Sequence, residues 1–405
     1  MSFETLPFKS IRLKNIQLPK VLSVAAPKAG SSNRLYVLDL ARFLAMVMMM
    51  QGHTLDSLVA PQHLDITAYP WNIWHFLRGL TAPIFLLISG AVSVFAMKRR
   101  EDGSIGPDVI KKRALWAVAI MSIGYLMMFP ANRVFDLPWV QQESWKAFFQ
   151  VNILHLNGAS LLILLAISMR TRSTGMLGKI SFAVACGIAL LTPFVHSVNW
   201  FNYLPEGIAA YLSYNHGSLF PIFPFGAYMF FGVALGAFLK GFSGDMRLDV
   251  LKKKLAPIGL GLLAAGFLLT GLIEILPVPE HNFHGSSPAF VLIRVGIVSV
   301  FLSAVGYLYQ YTRRFEGFYS FFGKKALHIY IGHLVILYGT PWFPSISKLY
   351  PKQLMLGDGL IIAVGVIVAT LGSVYMLDRF QRKVNKGEII MKYSCFAMLA
   401  YALLK

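Results

Sequence analysis

The apolar residues of this 405-residue chain are gathered into blocks of bilayer-crossing length, and this arrangement constrains the fold more than any other feature. A helix needs about 20 consecutive apolar residues to cross the hydrocarbon core. Blocks of that order cover residues 35–53, 74–97, 114–129, 151–168, 180–196, 219–239, 255–276, 289–311, 326–340 and 359–377. Hydrophobic residues make up 56% of the chain and charged residues 14%, against about 25% charged in soluble domains. Lipid offers the backbone no hydrogen-bond partners, so such blocks must be helical. The sequence therefore predicts an all-α polytopic membrane bundle of about ten spans. A further stretch, 389–404, is interrupted by Lys392 and reads as an eleventh span or an interfacial helix. The expected organisation is a disordered cytoplasmic tail over 1–33, a membrane domain over 34–388 and a C-terminal hydrophobic helix over 389–405.

A net charge of +19 raises the question of nucleic acid, and the distribution of that charge excludes it. The basic residues sit in short loops that alternate along the chain. One side holds Lys9, Arg12, Lys14, Lys20, Lys28 and Arg34, and then the clusters Lys98–Arg100, Lys111–Arg113, Arg170–Lys179, Lys240–Lys254, Arg313–Lys325 and Arg379–Lys386. Those are 28 residues, against Arg133, Lys146, Lys348 and Lys352 on the other side. The positive-inside rule then places the N-terminus in the cytoplasm, in a multi-pass protein of the cell (inner) membrane. The outer loops carry acids (Asp56, Asp65, Asp136, Glu143, Glu206) and most of the tryptophans, as an interfacial belt or a platform for sugar rings. Cys186 and Cys395 lie in apolar surroundings without metal or redox spacing and read as buried small hydrophobes.

Ionisable residues at membrane depth are costly and usually functional. Arg42 and His53 are eleven residues apart on the first span, close to three helical turns, so they share one face about 16 Å apart along the axis. Asp39 is three residues before Arg42 and can pair with it, or can complement the helix dipole in the first turn. His53 can accept and return a proton near neutral pH. Arg78 enters the membrane from the outer side with Pro83 behind it, and Asp56 and Glu206 are its candidate partners. His155, at the start of the fourth span, should face the same outer vestibule. Arg294 and Glu274 read as an ion pair between neighbouring helices. His328 and His333 are five apart, a poor spacing for joint metal ligands, and no metal site is expected. Nucleophile elbow, P-loop, dinucleotide fingerprint and zinc helix are absent from the sequence.

Several segments stand out: Arg34-Leu35-Tyr36-Val37-Leu38-Asp39-Leu40-Ala41-Arg42, the Met-rich run ending Gln51-Gly52-His53, and Phe76-Leu77-Arg78-Gly79-Leu80-Thr81-Ala82-Pro83-Ile84-Phe85 with Ser89-Gly90. Ile153-Leu154-His155 with Gly158, Phe220-Pro221-Ile222-Phe223-Pro224-Phe225-Gly226 and Gly323-Lys324-Lys325-Ala326-Leu327-His328-Ile329-Tyr330-Ile331-Gly332-His333 follow. In kind and order these segments resemble the heparan-alpha-glucosaminide N-acetyltransferase catalytic-domain family, especially its bacterial members. The arginine and histidine of the first span also resemble the acyltransferase-3 membrane acyltransferases. One departure is that Pro70-Trp71-Asn72-Ile73-Trp74-His75 lacks the leading histidine of the animal enzyme's His-x-x-Trp segment, which shifts the catalytic expectation to His53.

These resemblances imply transfer of an acyl group, acetyl above all, from cytoplasmic acyl-CoA to an extracytoplasmic sugar or glycan. Acetyl-CoA or another acyl-CoA would be a co-substrate and not a resident cofactor. The implied catalytic set is His53, Asp39, Arg78 and His155. Arg42, Arg99, Arg100, Lys112 and Arg113 would hold the donor's phosphates on the cytoplasmic face. A homodimer is compatible with the sequence. The alternative is a non-catalytic transporter or flippase that uses the same embedded charges as a permeation path.

Overall fold

The computed structural model describes residues 34–404 apart from 280, 281, 341, 343 and 385, so the expected tail over 1–33 lies outside the described residues. In chain order the helices are α1 (Tyr36–Leu58), α2 (Trp71–Gly79), α3 (Thr81–Ala96), α4 (Pro107–Met127), α5 (Gln142–Phe149), α6 (Ile153–Arg170), α7 (Thr174–His196), α8 (Glu206–Ala209) and α9 (Ile222–Lys240). They continue with α10 (Gly244–Ile275), α11 (Phe283–Ser286), α12 (Pro288–Thr312), α13 (Glu316–Lys324), α14 (Ala326–Tyr338), α15 (Ile346–Leu349), α16 (Leu356–Lys383) and α17 (Gly387–Leu404). An isolated bridge pairs Val59 with Leu354. The protein is an all-α polytopic membrane bundle.

Among the described residues eight stretches are long and apolar enough to cross a membrane: α2 with α3, α6, α7, α9, α10, α12 running on to Lys324, α16, and α17. The last is one continuous helix, so Lys392 does not break it. Helices α1 and α4, of 23 and 21 residues, are also long enough, at about 1.5 Å per residue. Asp39, Arg42, His53 and Asp56 in α1, and Lys111 to Arg113 in α4, dilute their apolar character. One expected span falls short: α14 has 13 residues, about 20 Å of helix against a core of about 30 Å. The cysteines also differ from expectation. Cys186 is half-buried, and Cys395 is exposed on α17.

Small residues set how closely the helices approach, as packing between membrane helices requires. A Cβ built on Gly232 of α9 would collide with the Leu87 carbonyl of α3, and one on Gly90 of α3 would collide with the Met229 carbonyl of α9. Gly259 of α10 and Gly296 of α12 are in similar mutual contact, each facing the other's carbonyl at 2.6–2.7 Å from the built Cβ.

Helix α1 runs through the middle of the bundle, packed on α3, α12, α13, α14 and α16. Its sequence divides by face. Met46 and Met50, four apart, are fully buried against Phe322, Ile329 and Val374. Arg42, Met49, His53 and Asp56 recur at spacings of seven, four and three, so they form one stripe, and that stripe lines a cavity. Helix α14 is anchored where it starts by Lys325, which pairs with Asp378 of α16 at 3.1 Å; Arg382 completes the triad at 2.7 Å. Beyond the far end of α14, the chain is tied to the end of α1. Lys352 and Leu354 donate to the Ser57 and Leu58 carbonyls, and Leu354 accepts from Ala60.

Because the Gly232 contact is with backbone, which has no rotamer to swing away, Gly232→Val should force α3 and α9 apart. Overpacking of this kind costs about 1–3 kcal/mol. Thermal unfolding of the purified protein in detergent should show a clear drop in Tm relative to an exposed glycine control such as Gly365→Val. An unchanged Tm would contradict the close approach.

Candidate active site

A cavity of about 860 Å³ passes through the bundle beside α1. Its volume falls within the usual range of about 300–1,000 Å³ for a small-molecule or cofactor site. Its walls come from α1, α2, α3, α4, α6, α9, α12, α13 and α14. One end is basic, with Arg42 from the start of α1, Arg113 of α4, Lys324 at the end of α13 and His328 of α14. The opposite end carries His53 and Asp56 from α1, Arg78 and Gly79 from α2, Arg294 from α12 and Tyr338 from α14. Between them the lining is largely apolar, broken by Ser89, Ser93 and Asn157, with Ser89 donating to Asn157 Oδ1 at 3.1 Å.

His53 is half-buried, and its Nδ1 lies 3.1 Å from Nε2 of His333, with the rings stacked at 5.4 Å between centroids. His333 is fully buried, and its own Nδ1 is 2.9 Å from the carbonyl of Ile329, one turn back on α14. A carbonyl only accepts, so Nδ1 of His333 carries a hydrogen, and in the neutral ring Nε2 is an acceptor. Nδ1 of His53 must then donate to it. The tautomer of His53 is set, and its basic lone pair is on Nε2. The edge of Tyr338 closes on His53 at 6.2 Å between centroids.

Arg78 pairs with Asp56 at 2.9 Å and lies over the Trp74 ring at 5.5 Å. Glu206, the other candidate partner, pairs with His216 at 2.6 Å. The aliphatic stem of Arg78 lies against Gly52, where a Cβ would meet its Cγ and Cδ at 2.6 Å. That explains the glycine between Gln51 and His53. Helix α2 ends at Gly79 and α3 begins at Thr81, with the break at Leu80. Pro83 has no N–H for the Gly79 carbonyl, and Thr81 Oγ1 donates to the Arg78 carbonyl at 2.9 Å.

Other sequence expectations are corrected by the geometry. Asp39 pairs bidentately with Arg34, at 2.7 and 3.0 Å, and not with Arg42. It does not line the cavity, and Arg42 instead donates to the Gly323 carbonyl at 3.2 Å. His155 is fully buried outside the cavity. It serves the first turn of α6, where its Nδ1 accepts the Asn152 amide at 3.2 Å in a reciprocal capping box, and its ring packs on Tyr125 at 4.0 Å. Arg99 is held by the carbonyls of Gly103, Ser168 and Thr171 and by the Thr171 hydroxyl, which ties the α3–α4 loop to the end of α6. Arg100 and Lys112 also lie outside the cavity. Arg113 lines it and donates to the Ala96 carbonyl at 2.6 Å. No ion pair joins Arg294 to Glu274, and Arg294 stacks on Phe290 at 4.2 Å instead. Among the described residues no group of three or more His, Cys, Asp or Glu could hold a metal ion.

Sequence reasoning does not assign His333, Lys324 or His328 to the site. His333 is 280 positions from its partner, and no spacing rule reaches that far.

No curated protein matches the chain. The family described as heparan-alpha-glucosaminide N-acetyltransferase, catalytic, matches residues 34–268, which is 235 of the 405 residues. That region supplies Arg42, His53, Arg78 and Arg113, while Arg294, Lys324 and His333 come from beyond it. With a helical multi-pass membrane fold and a match over more than half its length, the chain belongs to the heparan-alpha-glucosaminide N-acetyltransferase catalytic family.

Proposed function

We propose that the protein transfers an acyl group, acetyl above all, from acyl-CoA to a sugar or glycan acceptor on the far side of the membrane. The observation that carries this reading is one cavity joining the basic cluster Arg42, Arg113 and Lys324 to the His53–His333 pair. The phosphates of coenzyme A dock at the basic end, where guanidinium groups suit them. The thioester arm then runs along the apolar stretch towards His53. The positive-inside distribution of Lys and Arg supports a cytoplasmic N-terminus and a cytoplasmic basic end, in the inner membrane of the cell. We assign residues 34–388 to the membrane acyltransferase domain and residues 389–405 to a separate C-terminal span.

The chemistry follows from the tautomer of His53. An acceptor amine or hydroxyl attacks the thioester carbonyl carbon, and Nε2 of His53 takes its proton as the new C–N or C–O bond forms. The C–S bond breaks, and the imidazolium returns the proton to the departing thiolate, leaving free coenzyme A and a neutral ring. His333 keeps Nδ1 of His53 hydrogen-bonded throughout and shares the charge that develops, acting as a positioning residue. Arg78, neutralised by Asp56, frames the acceptor's end of the cavity.

A transporter would use the same cavity, and acyl-CoA consumption by reconstituted protein separates the two readings. Wild-type protein offered amino sugars and polysaccharides should consume acyl-CoA, and none consumed with any acceptor would favour transport. His53→Ala should lower turnover by about 10²–10⁴-fold, the usual effect of losing a general base. Arg42→Ala should act chiefly on the acyl-CoA KM, raising it roughly tenfold to hundredfold, because a phosphate contact is shared by ground and transition states.

His333→Leu should lower kcat at unchanged acyl-CoA KM, and His333→Gln, whose side-chain oxygen can accept from Nδ1 of His53, should retain more of it. Equal loss in both variants would reduce His333 to a packing residue. Orientation has its own test. In a background lacking Cys186 and Cys395, a cysteine at the exposed position Gln62 should react with a membrane-impermeant maleimide from outside intact cells. Labelling only in inverted vesicles would reverse the topology.

A further inference from the structure

The cations of the cavity fall into two groups. At the basic end Arg42, Arg113 and Lys324 stand together, as a polyphosphate donor requires. At the opposite end Arg78 is neutralised by Asp56, but Arg294 has no such partner among the described residues. Its Nε is buried without a hydrogen-bond partner, and no carboxylate among the described residues lies within ion-pair distance. The Tyr228 hydroxyl beside the guanidinium is a neutral group and brings it no negative charge. The Phe290 ring, at 4.2 Å, offers it a favourable surface but no negative charge.

A cation at membrane depth without a counter-ion is costly and persists where a ligand completes it. Other charges of the bundle illustrate the contrast, since Asp39 has Arg34 and Asp378 has both Lys325 and Arg382. Local structure leaves Arg294 accessible from the cavity. Gly79 is its neighbour, and even a Cβ built there would be 3.8 Å from Nη2. Among the described residues Arg294 is therefore a surplus positive charge at the end assigned to the acceptor.

We infer that the acceptor is an anionic sugar whose carboxylate or phosphate docks on Arg294, leaving its amine or hydroxyl to reach His53. The inference rests on the acyl-transfer reading for the identity of the ligand, and it adds the acceptor's charge. A planar guanidinium with a free edge suits both oxyanions. The surplus of one positive charge over the Arg78–Asp56 pair matches one negative charge on the ligand. Neutral sugars lack that contact.

Binding measured by calorimetry tests this without relying on turnover. Purified protein in detergent, saturated with coenzyme A to occupy the basic end, is titrated with glucosamine, glucosamine 6-phosphate and muramic acid. At least one anionic sugar should bind roughly tenfold or more tightly than glucosamine, the scale of one charge-assisted hydrogen bond. The phosphate and carboxylate arms identify which anion the site takes. Arg294→Gln should erase the preference, and Arg294→Lys should keep part of it. Equal binding of all three sugars by wild-type protein overturns the inference whatever the variants do, as does a preference that survives in Arg294→Gln. Wild-type protein that shows the Arg294-dependent preference yet consumes no acyl-CoA would refute acyl transfer alone. Protein that consumes acyl-CoA without the preference would refute the anionic acceptor alone.

Discussion

The contact between Nδ1 of His53 and Nε2 of His333 joins two helices that the chain separates by 280 residues, and the site depends on it. It requires α14 to bring His333 level with the outer half of α1. The short length of α14 suits that requirement, because 13 residues starting at the Lys325–Asp378 pair carry the chain only as far as Tyr338, beside His53. The Leu354 contacts with the end of α1 then hold the following segment in place. The Ile329 carbonyl completes the arrangement by fixing which nitrogen of each ring carries a hydrogen. A backbone carbonyl within a helix cannot rotate or ionise, so this anchor is stiffer than any side chain would be.

Placing charge inside a membrane shapes much of the remaining structure. The embedded ions either have a partner of their own or open onto the cavity. Arg78 has Asp56, and Gly52 lets its stem pass. Asp39 has Arg34 and packs against Gly323, whose carbonyl in turn receives Arg42. Among the described residues the cavity's two ends differ in what is left over: a cluster of cations at one, a single guanidinium without a counter-ion at the other. A donor with several phosphates and an acceptor with one anion would satisfy that asymmetry.

The bundle is legible in the sequence because a helix in lipid must meet its own backbone requirements locally, so each apolar block declares itself. The Arg42–His53 stripe is legible for a similar reason, since helical periodicity is a local rule. Spacing does not reveal partners across helices. Arg78 has two candidate acids in the sequence, and only the packing of α2 on α1 selects Asp56. His155 has the same residue type and the same apparent depth as a catalytic histidine, yet three-residue proximity to Asn152 makes it a helix cap. Arg99 sits in a basic cluster suited to phosphates, but its guanidinium meets the end of α6 and is taken up by carbonyls. Spacing compares His333 with His328 alone, because a pair on one helix is visible in the sequence and a pair across two is not.

The account's central claim is that one cavity brings a thioester from the basic end to Nε2 of His53. The most direct measurement is an electron cryo-microscopy structure of the protein with a non-hydrolysable acyl-CoA analogue. The expected result places the phosphates among Arg42, Arg113 and Lys324, the pantetheine arm between α1, α3 and α6, and the acyl carbon within about 3–3.5 Å of where a nucleophile bonded to His53 would sit. Phosphates bound at the Arg78–Arg294 end, or an acyl group that stops short of His53, would contradict it.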